Sequence, residues 1–252
     1  HSATDTDSAS VTVENTPPSL SNLLLSPTII DTNGTLVASY SVTDADGDSV
    51  TVQLDWYVDD GTGGILAQSG ADADQISVDL IDGATTNINI DGGASSVADR
   101  VTVRGTSGAD VIAVDGLNIT SGGTAVALVE VESLTVAGGD GEDQLSVTGT
   151  SVTDDLQVLG ENADDVITLA FPITAGTLTV DGGTGTADKL EVDLTSGADA
   201  ASMTVDASLI QIVGQTDATY LNFDLLELNS GSAGDDVTVV STHAGDTTID
   251  TA

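Results

Sequence analysis

The sequence predicts an all-β chain in which a small sandwich is followed by a right-handed parallel β-solenoid. Three observations carry this reading. Apolar residues make up 39% of the chain, and most are Val, Ile and Leu alternating with polar residues, the period of a strand. Clusters of Gly, Asp, Asn, Ser and Thr separate these runs, and such residues turn a chain rather than extend a helix. From residue 86 onward the sequence also repeats itself.

The elements follow in order. Residues 1–16, HSATDTDSASVTVENT, hold one strand with Val11 and Val13 on one face. Pro17-Pro18 then breaks the chain, because proline cannot donate to a β-ladder. Residues 17–85 are expected to form the small sandwich, from strands at Leu20–Leu25, Leu36–Thr43, Val50–Val58, Ile65–Ala67 and Gln75–Leu80. Trp56, the single tryptophan, is expected in its core.

Residues 86–252 are expected to be the solenoid, in four units. These begin at Ile88 (INIDGGASSVADRVTV), Leu134 (LTVAGGDGEDQLSV), Leu178 (LTVDGGTGTADKLEV) and Leu226 (LELNSGSAGDDVTV), offset by 46, 44 and 48 residues. A spacing near 46 fits two coils of about 22 residues per unit, each burying its neighbour's apolar face. Such ladders need few large side chains, which suits a chain with 2% aromatic residues.

Charge bounds the partners. The chain has 41 acidic and 3 basic residues, a formal net charge of -38. Nucleic acid is excluded, since its phosphates call for Lys and Arg, and an anionic membrane surface is disfavoured for the same reason. Self-repulsion on this scale asks for a screen, either divalent cations held by hard oxygen ligands or high external salt. The chain has no cysteine, so durability must come from repetition, metal ions or assembly. No apolar run approaches a membrane span. His1 opens mid-pattern, which reads as a mature chain or one excised from a longer precursor.

Metal-ligand candidates fall in two places. Asp44, Asp46 and Asp48 flank Gly47 in the turn DADGD, so that alternate carboxylates converge, as suits Ca²⁺. The solenoid turns offer Asp91 with Asp99, Asp140 with Asp143, Asp181 with Asp188, and Asp235 with Asp236; Asp110, Asp154, Asp155, Asp164 and Asp165 also lie in turns. Stacked coils would align these carboxylates in ladders, where cations would relieve their repulsion. Catalysis is not expected. Arg100, Arg104 and Lys189 are scattered, and His243 has no recognisable Ser or Cys partner. Asp154/Asp155 and Asp164/Asp165 are adjacent, so their side chains point to opposite faces of a strand and cannot act as a glycosidase pair.

Two resemblances sharpen this picture. Residues 17–60, with NTPPSLSNLLLSP at 15–27 and YSVTDADGDSVTVQLDWYVDDG at 40–61, resemble a bacterial immunoglobulin-like repeat of the PKD or cadherin-like type. That resemblance makes the sandwich immunoglobulin-like. It also implies that a strand reading SVTVENTPP belongs at the end of such a domain, whereas here it precedes one. Residues 86–252 resemble the Gly/Asp-rich repeats of large bacterial surface proteins and, in GGDGEDQLS at 138–146, the RTX calcium-binding nonapeptide. RTX repeats follow one another every nine residues, unlike the motif here.

An orphan strand beside a sandwich short of one suggests donation in trans: Ser10, Val11, Thr12, Val13 and Glu14 of one copy would complete the next copy. A head-to-tail contact that does not close makes a filament. The expectation is therefore a subunit of an extracellular bacterial filament or surface layer, partnered by copies of itself and rigidified by Ca²⁺. The alternatives are an adhesin or stalk segment meeting surface glycans, and a polysaccharide-active β-helix enzyme.

Overall fold

The structure, a computed structural model, describes residues 19–26, 35–43, 64–68, 73–81, 83, 85–93, 98–150, 152–195, 202–230 and 234–250. The Asp44/Asp46/Asp48 turn, the Ser10–Glu14 strand, Val50–Val58 and Trp56 lie outside the described residues.

Among the described residues the regular elements are all strands, twenty-one of them. The first nine are β1 (Ser19–Ser26), β2 (Thr35–Thr43), β3 (Gly64–Gln68), β4 (Gln75–Asp79), β5 (Asn87–Asp91), β6 (Arg100–Arg104), β7 (Val111–Asp115), β8 (Asn118–Ser121) and β9 (Thr124–Val129). Then come β10 (Ser133–Asp140), β11 (Gln144–Thr148), β12 (Asp155–Asn162), β13 (Val166–Ala170), β14 (Thr177–Asp181) and β15 (Lys189–Asp193). The last six are β16 (Ser202–Val205), β17 (Leu209–Ile212), β18 (Ala218–Leu221), β19 (Leu225–Asn229), β20 (Asp236–Val239) and β21 (Asp246–Asp250).

They build two large mixed sheets. One has twelve strands in the order β1-β2-β3-β5-β9-β8-β7-β11-β13-β15-β19-β21, the other nine in the order β20-β16-β17-β18-β14-β12-β10-β6-β4. From β10 to β15 consecutive strands alternate between the sheets, so each strand pair forms one rung. Leu134 lies beside Leu156, and Leu156 beside Leu178, a step of 22 residues each time. In the other sheet Leu145, Ile167, Leu190 and Leu226 also line up, at steps of 22, 23 and 36 residues.

Two antiparallel excursions interrupt this rhythm. β8 pairs with both β7 and β9, and β17 with both β16 and β18. They stretch the step to 33 residues between Val101 and Leu134 and to 40 between Leu178 and Ala218. The four units read from the sequence are consequently not equivalent. Ile88 and Leu226 lie in the twelve-stranded sheet, Leu134 and Leu178 in the nine-stranded one. The spacing misled because both ends of a rung carry Gly/Asp turns, so a turn from one side aligns with a turn from the other.

The described strands of residues 17–85 run on into these sheets. β2 pairs parallel with β3, β3 with β5, and β4 with β6. Only β1 and β2 pair antiparallel, the arrangement an immunoglobulin-like sandwich uses throughout.

The core lies between the sheets. Each rung contributes two inward residues per strand at i and i+2, as the pleat requires. Val136, Leu156, Val158 and Val180 on one side, and Ile167, Leu169, Leu190 and Val192 on the other, are fully buried. Tyr220 takes the equivalent place in β18, level with Val180, and its hydroxyl donates to the Asp206 carbonyl at 2.7 Å. Burying each such aliphatic side chain contributes about 1.5–3 kcal/mol.

Candidate functional site

One position ahead of five strands of the twelve-stranded sheet carries a carboxylate. The residue immediately before β7, β11, β13, β15 and β19 is Asp110, Asp143, Asp165, Asp188 and Asp224 respectively. Asp143, Asp165 and Asp188 are no more than 1% exposed. They stand in a column in which each peptide N–H donates to the next carboxylate. The Asp110 N–H donates to Asp143 Oδ1 at 2.7 Å, that of Asp143 to Asp165 Oδ1 at 2.8 Å, and that of Asp165 to Asp188 Oδ1 at 2.8 Å. The Asp188 N–H ends the series on Asp224 Oδ2 at 3.1 Å. A shorter column serves the other sheet, where the Asp74 N–H donates to buried Asp99 and the Asp99 N–H to Glu132.

Glycine makes room for these carboxylates. A side chain starting from Gly138 would meet Asp143 Oδ2 at 2.2 Å and the Gly160 carbonyl oxygen at 2.9 Å. One starting from Gly160 would meet Asp165 Oδ2 and the Gly182 carbonyl oxygen, both at 2.3 Å. The glycine and the carboxylate are therefore a matched pair, five residues apart at Gly105/Asp110, Gly138/Asp143 and Gly160/Asp165.

The outer oxygens are not all served alike. Asp188 Oδ2 accepts from the Gly185 N–H at 2.9 Å. Oδ2 of Asp99, Asp143 and Asp165 is buried without a hydrogen-bond partner. Burial in an apolar wall disfavours the charged form. It pushes Asp143 up to about 6 and Asp165 up to about 7. Asp99 and Asp188 are also raised, with burial the main cause.

The nonapeptide resemblance implies calcium. It takes six to eight oxygens at about 2.3–2.6 Å. Here each buried carboxylate accepts a peptide N–H through one oxygen, and Asp143 and Asp165 fill the space where a side chain on Gly138 or Gly160 would start. Among the described residues no three His, Cys, Asp or Glu side chains come together as a metal-binding group. Within three of the sequence-selected pairs the two carboxylates take different partners. Asp143 and Asp188 turn inward, whereas Asp140 is exposed and accepts from Asn162 Nδ2 at 2.7 Å. Asp181 accepts from the Gly183 N–H and from Asn222 Nδ2. Asp91 accepts from the Gly93 N–H, while Asp99 is buried in the second column.

The aligned turns expected from stacking are present in Asp110, Asp143, Asp165 and Asp188. Asp224, Asp74 and Glu132 were not among the selected residues. A glycine five residues earlier accompanies Asp110, Asp143 and Asp165, but the same spacing also precedes Asp154 and Asp181, so the spacing alone does not pick out the inward carboxylates; the second carboxylate of ADD at 163–165 is the inward one. Outside the columns, all three cationic side chains form ion pairs. Arg104 meets Glu161 at 3.0 Å and Arg100 meets Asp155 at 3.7 Å. Lys189 meets both Glu191 and Glu227, which raise its pKa. His243 stands edge-on to the Tyr220 ring at 6.0 Å.

Comparison of the chain with protein-family models, with curated proteins and with solved structures finds no match.

Proposed function

We propose that the chain is a structural subunit of an extracellular bacterial filament or surface layer, with its rungs wound as a right-handed parallel β-solenoid. The observation that supports this reading best is the register of about 22 residues from β10 to β15, in which successive rungs stack the same apolar positions and the buried carboxylates Asp143, Asp165 and Asp188. Stacking of this kind makes a rod whose stability is a sum over neighbours. In this reading the Ser10–Glu14 strand joins one copy to the next, and Ca²⁺ binds the Asp44/Asp46/Asp48 turn.

A second reading, an adhesin or stalk segment, draws on the β8–β9 hairpin. Insertions in stacked repeats gather on one flank and often bind there. This one borders a cavity of about 420 Å³ lined by Ile81, Asp110, Val111 and Ser121, with Val111 and Ile81 exposed beside it.

Electron microscopy separates the two. The full chain is expected to form ordered fibres that shorten or vanish in chelator and on deletion of residues 1–16. Monodisperse rods under all conditions favour the stalk. Fibres that persist unchanged after the deletion refute strand donation.

A further inference from the structure

We propose that the acceptor of the donated strand, residues 10–14, is the outer edge of β20 in the last rung of another copy, where the strand lies parallel to β20 and sets Val11 and Val13 beside Val237 and Val239. This assignment rests on the filament reading and names the surface that joins one copy to the next.

The last rung is unfinished. β20 is an edge of the nine-stranded sheet and β21 an edge of the twelve-stranded one, and six residues join them. On β16, Met203 and Val205 are fully buried beside Val237 and Val239 of β20. Val237 itself is only partly buried, and Val239 is 40% exposed. Val240 is 66% exposed and Ile249 on β21 is 40% exposed. Ile249 continues the line of Val147, Leu169, Val192 and Leu228, all fully buried. At the opposite edge of the nine-stranded sheet, Ile76 and Val78 of β4 are buried. Sheet edges are usually blunted by charge, proline or a bulge. Residues 237–240, VTVV, carry neither charge nor proline.

The ladder itself points to the occupant. β16 reads SMTV and lies in parallel register with DVTV of β20, Ser202 beside Asp236 and Val205 beside Val239. Residues 10–13 read SVTV. Laid next in the same register, Val11 and Val13 cover Val237 and Val239. Thr12 extends the outward row of Thr204 and Thr238, a favourable cross-strand pairing. Ser10 brings no charge beside Asp236, which matters at the end of a chain with a formal charge of -38. Addition of such a strand to an open edge supplies main-chain hydrogen bonds along its whole length.

The strand cannot come from the same copy. β1 and β21 are opposite edges of a twelve-stranded sheet, about eleven spacings of roughly 4.8 Å apart, or some 50 Å in order of magnitude. The five residues from Glu14 to Ser19 reach at most about 18 Å. Donor and acceptor therefore stand at opposite ends of each copy, and a contact of that kind adds copies in line.

The test uses the full chain, which has no cysteine of its own. Val239→Cys and Val13→Cys chains are mixed, oxidised and separated on a non-reducing gel. Adjacent inward residues of a ladder lie within disulfide reach, so the mixture should give a linked dimer that neither variant gives alone. The tetrapeptide SVTV also stands at 49–52, tethered between β2 and β3, and Val52→Cys in place of Val13→Cys should give no dimer. A second measurement needs no variant of the chain. In dilute wild type, an excess of a peptide of residues 9–16 should slow amide exchange at residues 236–239 about tenfold or more. The same peptide with Val11→Asp and Val13→Asp should not. Should a cysteine variant fail to fold, the peptide measurement decides alone. The proposal is overturned if folded variants give no mixed dimer, if Val52→Cys links as well as Val13→Cys, or if the peptide leaves β20 unprotected. Fibres without the mixed dimer overturn the acceptor and leave the filament reading in place. The mixed dimer in material that forms no fibres upholds the acceptor and removes the filament.

Discussion

The Asp164 side chain faces water and accepts the peptide N–H groups of Thr186 and Ala187 and the Thr186 hydroxyl. One residue later, Asp165 faces the core with a single N–H for company. The same carboxyl group is thus held below its ordinary pKa at Asp164, chiefly by the Thr186 N–H, and pushed above it at Asp165 by burial. Their effects on stability run in opposite senses. Asp164 is stabilising above its unfolded pKa and loses that contribution as pH falls through its depressed folded value. Asp164→Ala should therefore lower the melting temperature at pH 7, and the difference from wild type should shrink on acidification towards pH 3. A melting-temperature series from pH 3 to pH 7 checks this, and a constant difference would count against it.

At the level of the element, each rung from β10 to β15 is a strand with a glycine at or near its end, a short turn, a buried aspartate and a second strand. The glycine is held there by close approach rather than by its dihedral freedom. Gly160→Ala would drive a methyl into Asp165 Oδ2 and the Gly182 carbonyl oxygen, two neighbours that cannot both move. Overpacking of this sort costs about 1–3 kcal/mol, measurable by denaturant unfolding. Substitution at Gly122, whose side-chain position is open but whose φ is +57°, tests turn strain instead.

Strands were legible in the sequence because alternation is local: Leu36–Thr43 and Gln75–Leu80 were read almost to the residue. Alignment of the turn carboxylates also followed from stacking alone. The register was not legible, because the β8–β9 and β16–β17 excursions resemble further strand–turn–strand rungs in sequence and differ only in pairing antiparallel. Nor did sequence distinguish Asp140 from Asp143. Which carboxylate turns inward goes with the glycine across the turn, a contact between residues five to seven apart that neither the strand nor the helix period reports.

For the whole molecule, the formal charge of -38 is partitioned rather than uniform. Among the described residues, buried acids occupy the middle of the columns, while acids on strands β12, β15 and β19 engage all three of Arg100, Arg104 and Lys189. Arg100 and Arg104 on β6 reach Asp155 and Glu161 on β12, across β10. Lys189 spans β15 and β19 through Glu227. These pairs run along the stacking direction, as do the N–H to carboxylate bonds of the columns. Lateral order within a rung comes from the apolar core, and longitudinal order from polar groups.

The 22-residue register has a mechanical consequence. A rung that contacts only its neighbours can leave the stack without disturbing the rest. Pulled from its two ends, the described region between β10 and β15 should lengthen in discrete steps. Each step should release about 22 residues, or roughly 70–80 Å of extended backbone. Force spectroscopy would show a sawtooth of that spacing, with longer intervals where a hairpin is released with its rung. A single cooperative rupture would mean that the columns bind the rungs into one unit. The protein would then behave as a brittle strut in place of a ratcheting tether.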